Sequence, residues 1–282
     1  MSTAAKTAEL REIRGPSAFG GTWQRTWDLL WLLSVTEFRV QYTNTALGYA
    51  WSVLKPFGFF GVIYLVVNQV LRFGDLVENF PMVLILGLVL FQYFSESTNA
   101  ALKSISAKET MLRKTQFPRI VIPLSVNLSA AISLVFNLLG VFLLFVVAGL
   151  EPRLTWLLLP LIVVPLILLT TTLSMLLSVA FVRSEDFGQA WTLTLRALFY
   201  ATPILYTLVI IPESIQPLIA ANPLTPLIEY ARVLVINPDA ATPVDLVGVG
   251  AGLLVPLAIS IAIAVGGIWM FNRDAPRVAE AL

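Results

Sequence analysis

The chain has no cysteine and no histidine. Charge is scarce too: 12% of its 282 residues are Asp, Glu, Lys or Arg, about half the share of a soluble domain. Each absence removes a class of chemistry. Without cysteine there is no disulfide framework, and without both residue types there is no thiolate or imidazole metal site, so no metal is expected. No histidine base and no cysteine nucleophile is available for catalysis. The five lysines follow Ala5, Leu54, Leu102, Ala107 and Arg113, never a glycine, so no phosphate-cradling G-K-[S/T] loop can be written. A net charge of +1 offers no bulk basic surface for nucleic acid. What is present is apolar: 57% of the residues are hydrophobic, and the mean hydropathy is +0.84.

A bilayer core about 30 Å thick is crossed by about 20 apolar residues as a helix. Six stretches with at most one charge meet that need: 48–71, 79–102, 120–150, 154–182, 187–211 and 246–271. They fill nearly the whole chain. The expectation is an all-α membrane protein with six transmembrane helices, one membrane domain over 23–275, a cytosolic N-terminal segment 1–22 and a cytosolic tail 276–282. Residues 1–22 hold Lys6, Glu9, Arg11, Glu12 and Arg14 and no apolar run, so they do not read as a cleavable signal. Fourteen of the eighteen Lys and Arg fall on one side of these spans, three (Arg72, Arg153, Arg232) on the other, and Arg196 inside a span. The positive-inside rule then places both termini in the cytosol of a cell with its cytoplasmic (inner) membrane as host, which requires an even number of spans.

Three segments are not simple spans. In 23–45, Trp27, Leu30, Trp31, Val35, Phe38 and Tyr42 recur at steps of three and four, with Asp28, Glu37, Arg39 and Gln41 on other faces. That pattern suits an amphipathic interface helix in the headgroup plane, or a helix buried in a bundle. The basic loop 103–119 contains Ser106-Ala107-Lys108-Glu109, a capping box that predicts a short helix over about 106–116, stopped by Pro118. It reads either as an ordinary lipid-touching loop or as a lever docking on a cytosolic partner. Segment 212–236 is apolar but broken by prolines, with Thr225-Pro226 read as the N-cap and first residue of a helix to Leu234. A broken apolar segment predicts an outer re-entrant hairpin after the fifth span, or else a surface loop.

Two intramembrane charges stand out, Glu96 and Arg196. Lipid exposure of either is costly, about 2.5–3.5 kcal/mol for such groups near a helix centre. They are expected to face the bundle or a wet cavity, as an ion pair or as a polar lining. Aromatics gather in the first, second and fifth spans, at Phe57, Phe59, Phe60, Tyr64, Phe91, Tyr93, Phe94, Phe199, Tyr200 and Tyr206. Such residues serve interfacial belts and packing, or stack on sugar rings along a path.

Several blocks resemble the membrane subunit of ABC type-2 polysaccharide exporters, which move O-antigen, teichoic acid, galactan or capsule chains. They are Leu47-Gly48-Tyr49-Ala50-Trp51-Ser52-Val53-Leu54-Lys55-Pro56, Phe94-Ser95-Glu96, Met111-Leu112-Arg113-Lys114 with Phe117-Pro118-Arg119 and Ile122-Pro123-Leu124-Ser125, Thr202-Pro203-Ile204-Leu205-Tyr206, and Asn222-Pro223-Leu224-Thr225-Pro226-Leu227-Ile228. One departure is that Arg183 and Asp186, often adjacent in that family, are separated by Ser184 and Glu185.

The resemblance implies two copies of this permease working with two copies of a separate nucleotide-binding ATPase, which would hold ATP and Mg. No cofactor is expected on this chain, and it is not expected to be an enzyme. Ser106, Glu109, Leu112, Arg113, Lys114, Phe117, Pro118 and Arg119 would dock on that ATPase. The substrate would be a lipid-linked glycan, with Arg25, Arg39 and Lys55 attracting its headgroup or acting as plain membrane anchors. Phe57, Phe60, Tyr64, Tyr93, Phe94, Glu96, Arg196, Phe199 and Tyr200 are candidates for the channel lining. Pro203, Tyr206, Asn222, Pro223, Pro226 and Glu229 are candidates for the outer gate. An ABC type-2 exporter of a drug or lipid is the alternative; a membrane-embedded glycosyltransferase or acyltransferase, or an ion-driven transporter, fits less of the sequence.

Overall fold

The computed structural model describes residues 23–43, 48, 50–70, 77, 79–108 and 118–281. The described residues are all-helical. In order they form α1 (Trp23–Thr43), α2 (Ala50–Tyr64, continued by a π-helical turn Leu65–Val70), α3 (Phe80–Leu102), α4 (Ser104–Ala107), α5 (Val121–Val147) and α6 (Pro160–Arg183, led by the 3-10 turn Leu154–Leu158). Next come α7 (Asp186–Ala201), α8 (Gln216–Ala220), α9 (Leu224–Val235), α10 (Pro243–Val249) and α11 (Val255–Ala281, led by the π-helical turn Gly250–Leu254).

Among the described residues, five helical stretches are long and apolar enough to cross a membrane: Ala50–Asn68, Phe80–Leu102, Val121–Val147, Leu154–Arg183 and Pro243–Asp274. α3 is the hub, with 72% of its span buried inside the protein against 33% or less for the others. α5 departs from the soluble pattern. α5 buries Ser125, Ser129, Ser133 and Asn137, spaced four apart, and exposes Val135, Phe136, Leu139 and Leu143. Small polar residues inside and branched apolar ones outside is the arrangement lipid selects. Asn127 ties three helices together: it accepts from Ser97 of α3 at 2.5 Å and from Ser174 of α6 at 3.2 Å, and donates to the Pro123 carbonyl at 2.7 Å.

The expected span 187–211 is not continuous. α7 has 16 residues and stops at Ala201. The reason is Pro203, which disfavours the helical region for the residue before it; Thr202 is extended, φ −99° and ψ 139°. α7 runs antiparallel to α3: Trp191 donates to Thr98, and Phe199 packs edge-on against Phe91. Where α7 ends the chain makes an insertion, 203–222, and comes back to its start. Asn222 Nδ2 donates to Thr202 Oγ1 at 2.8 Å and closes the loop. α9 then continues toward the Phe80 end of the bundle, where Trp156 Nε1 donates to the Val235 carbonyl at 2.9 Å.

Other expected boundaries shift for local reasons. α9 begins at Leu224 with Pro223 as N-cap, not at Pro226. Asn222 Oδ1 accepts from the Leu224 amide at 3.1 Å, and Pro226 falls in the first turn, where no intrahelical donor is needed. A short helix opening at Pro243, where Thr242 and Asp245 form a capping box, leads into the last span and turns back on itself at Gly248 (φ 76°, ψ 170°). Ser106 sits inside α4, a single turn that continues α3, with the Ser104 hydroxyl donating to the Ala101 carbonyl at 2.6 Å. Residues 109–116 of the predicted helix, with the Glu109 half of the expected capping box, lie outside the described residues. α1 packs on α5 through Leu30, Ser34 and Phe38, the last stacked on Phe136 at 5.9 Å. Trp27 and Trp31, expected on that same face, are exposed.

Candidate functional site: a polar and aromatic groove between α3 and α7

One face of α3 carries Gln92, Ser95, Glu96 and Asn99, spaced as one helical stripe. Opposite it α7 presents Thr192 and Arg196, one turn apart. Together they line a groove of about 530 Å³. The half toward the Phe80 end is aromatic, formed by Phe59 of α2, Phe91, Phe199 and Tyr200. α7 is poorly covered: it buries only Trp191 and Leu195, and Leu193 and Tyr200 are more than two-thirds exposed. The groove therefore runs from hydrogen-bonding and charged groups to flat apolar rings within one open cleft.

Glu96 and Arg196 share this cleft without forming an ion pair. The Glu96 carboxylate instead accepts from Gln92 Nε2 at 2.9 Å, and both charged residues are exposed. Glu96 also borders a smaller cavity of about 250 Å³ walled by Glu37 and Gln41 of α1 and Ser129 and Ser133 of α5. Glu37 is paired with Lys108, which links α1 to the end of α4.

Of the residues expected to line a path, the structure places Glu96, Arg196, Phe199 and Tyr200 on the groove and leaves the others off it. Tyr93 and Phe94 are 4% and 3% exposed in the core, Phe94 against Trp191. At 100° per residue they point away from the stripe that holds Gln92, Ser95 and Glu96. Phe57 lies over Gly140 of α5, and Phe60 stacks on Tyr64 at 5.7 Å. Gln92, Ser95, Asn99 and Thr192 were missed, although their three- and four-residue spacing was visible. Of the candidate headgroup residues, Arg39 and Lys55 are exposed, and the Arg25 side chain lies outside the described residues. Of the candidate docking residues, Ser106 and Arg119 are half-buried and Pro118 is exposed; Glu109, Leu112, Arg113, Lys114 and Phe117 lie outside the described residues.

Of the six candidate gate residues, Pro203, Tyr206 and Asn222 lie in the insertion, and Pro223, Pro226 and Glu229 follow it at and on α9. Pro203 ends α7. The Tyr206 hydroxyl donates to the Tyr200 carbonyl at 2.7 Å, while Asn222, Pro223 and Pro226 build the start of α9. Glu229 is buried and accepts from the Leu208 amide at 3.0 Å. Its partner is a surprise. Arg232, expected among the outer cations, is 4% exposed inside the bundle, 3.0 Å from Glu229. It donates to the Val83, Ile204 and Tyr206 carbonyls. Room for it comes from Gly87 of α3, where a Cβ would lie 2.8 Å from Arg232 Nη2. Glu and Arg three apart on an otherwise apolar helix were the available signal.

A family model described as ABC-2 type transporter matches residues 28–236, from α1 to the end of α9. The chain belongs to the ABC-2 type transporter family. Among ABC-2 relatives, the O-antigen export system permease protein RfbA of Klebsiella pneumoniae is 30% identical over 262 residues, covering 90% of this chain and 95% of the relative. A protein of the same name from Myxococcus xanthus is 29% identical, covering 80% of this chain and 88% of its own. The polysialic acid transport protein KpsM of Escherichia coli is 24% identical, covering 82% and 90%. The groove and the insertion both lie within the ABC-2 match.

Proposed function

We propose that this chain is the permease subunit of an ATP-driven ABC exporter that moves a lipid-linked polysaccharide across the cytoplasmic membrane. The observation that carries the reading is the groove. A cleft with amide, hydroxyl and charged groups at one end and aromatic faces at the other can hydrogen-bond sugar hydroxyls and stack on sugar rings. It does so in an ABC-2 chain whose relatives are named for O-antigen and polysialic acid export. Two copies of this chain would form the path, and two copies of a nucleotide-binding ATPase, holding ATP and Mg, would drive it. Segment 103–119 and α1, joined by the Lys108–Glu37 pair, are the surfaces assigned to that ATPase. Arg25, Arg39 and Lys55 would attract an anionic headgroup, each by about 1 kcal/mol near the surface.

In this reading α7 and α9 make the sixth crossing between them, a broken helix with the insertion 203–222 as the outer gate. The charge bias favours that orientation more strongly than a loop count does. With Arg232 inside the bundle, only Arg72 and Arg153 remain as outer cations.

The test is reconstitution. The chain, purified with its ATPase in liposomes, should move a lipid-linked glycan in an ATP-dependent way, and the chain alone should hydrolyse no ATP. Transport of a sugar-free lipid or a drug in place of the glycan would move the assignment to the other exporter class.

A further inference from the structure

α6 and α11 pack together from Thr172 and Gly267 to the Arg183–Asp274 ion pair, and part in a V on the other side, where a cavity opens. A Cβ on Gly267 of α11 would lie 2.2 Å from the Thr172 carbonyl oxygen of α6, so the two backbones touch there. Farther along, Gly248 and the π-helical turn Gly250–Leu254 bend the chain back on itself. A Cβ on Gly252 would sit 2.6 Å from the Pro243 carbonyl oxygen. α9 stands in the opening of this V without filling it. A cavity of about 540 Å³ remains, walled by Pro165 and Leu169 of α6, Pro226 and Tyr230 of α9, and Leu257 and Ile261 of α11.

The wall offers almost nothing to water. Its two aliphatic hydroxyls, Thr172 and Ser260, already donate to the Leu168 and Pro256 carbonyls of their own helices, and a buried water needs several polar partners. An empty cleft forfeits dispersion contacts along every wall. Two of the three walls belong to stretches long and apolar enough to cross a membrane, so hydrocarbon is what meets the opening. The cleft shares no helix and no wall residue with the polar groove.

We propose that this cleft binds one acyl chain of a bilayer phospholipid, held as a wedge behind α9. Its separation from the groove assigns it to bulk phospholipid and not to a lipid carried as substrate. The position gives the wedge a consequence. α9 carries Glu229 and Arg232, which hold the insertion 203–210 by its backbone, so a chain pressed on Pro226 and Tyr230 sets where that insertion sits. The proposal needs the chain to lie in a membrane and does not depend on what it transports.

The purified full-length protein would be placed in nanodiscs of phosphatidylethanolamine and phosphatidylglycerol. A small fraction of phosphatidylcholine with a diazirine-bearing acyl chain would be added, and labelled residues located by mass spectrometry. Labelling should concentrate on Tyr230, Leu257 and Ile261, above the level at Val265, which is exposed on α11 outside the cleft. Ala264→Phe, which puts bulk into the cleft, should reduce Tyr230 to the Val265 level. In case that variant does not fold, competition in the unchanged protein gives a second reading. Unlabelled phospholipid should suppress the excess, and polyisoprenyl phosphate should not suppress it beyond dilution. Equal labelling of Tyr230 and Val265 overturns the proposal. So does selective displacement by polyisoprenyl phosphate, or a ready disulfide between two copies of Leu257→Cys.

Discussion

Glu229 and Arg232, one turn apart on α9, form an ion pair at 3.0 Å with both side chains buried. Each also grips backbone outside its own helix. Glu229 holds the Leu208 amide, and Arg232 holds the carbonyls of Val83, Ile204 and Tyr206. The pair therefore fastens the insertion to α9 and α9 to the hub helix α3. Removing one partner of a buried pair costs about 3–5 kcal/mol, chiefly because the other charge is left uncompensated. Arg232→Met should lower the thermal stability of the purified protein by that order. The double variant Arg232→Met with Glu229→Gln, which buries no charge, should recover part of the loss; equal losses would contradict the account.

Gly87 gives a second test of the same fastening. A Cβ there would lie 2.8 Å from Arg232 Nη2, an atom pinned by the Ile204 carbonyl. Gly87→Ala should cost about 1–3 kcal/mol as overpacking. In an Arg232→Ala background the same change should be close to neutral, because the clashing group is gone. A double-mutant cycle measures the difference, and additive losses would remove the steric link.

Asn127 is the corresponding knot at the other half of the bundle, joining α3, α5 and α6. Asn127→Leu leaves the Ser97 and Ser174 hydroxyls and the Pro123 carbonyl without this partner. The expected destabilisation is about 1–3 kcal/mol, read as a lowered melting temperature in detergent. Glycan export should fall only as far as protein level falls.

The groove predicts the opposite pattern. Glu96 and Arg196 are exposed and make no ion pair with one another. Glu96→Gln, Arg196→Gln and Ser95→Trp should each change stability by no more than about 0.5 kcal/mol while lowering export per folded molecule. Loss of stability in parallel with export would reassign these residues to packing.

Sidedness can be read directly, since the chain lacks cysteine. Ser214, exposed in the insertion, should react as Ser214→Cys with a membrane-impermeant thiol reagent added outside intact cells. Reaction from the cytosolic side alone would invert the topology.

Much of this architecture was legible in the sequence because lipid imposes long-range order on composition. The spans around α3, α5 and α6 follow from apolar length alone. What was lost was lost at prolines and at pairs. Pro203 cuts the span expected over 187–211, and its effect on Thr202 is a one-residue event that a window of about 20 residues averages away. Arg232 counted as an outer cation because it falls in a proline-broken segment read as an outer hairpin. Its burial depends on Gly87, nearly 150 positions earlier, and no local pattern joins the two. On α3 the aromatic residues drew attention to Tyr93 and Phe94. The helical turn instead aims the quieter Gln92, Ser95 and Asn99 at the cleft.

The central claim is that this ABC-2 chain is the conduit for a lipid-linked polysaccharide. The most direct measurement is the fate of that polysaccharide in cells lacking the chain. The account predicts that surface polysaccharide disappears, that lipid-linked chains accumulate on the cytosolic face, and that wild-type protein restores export while Ser95→Trp does not. Undiminished surface polysaccharide, with no intracellular accumulation, would contradict it.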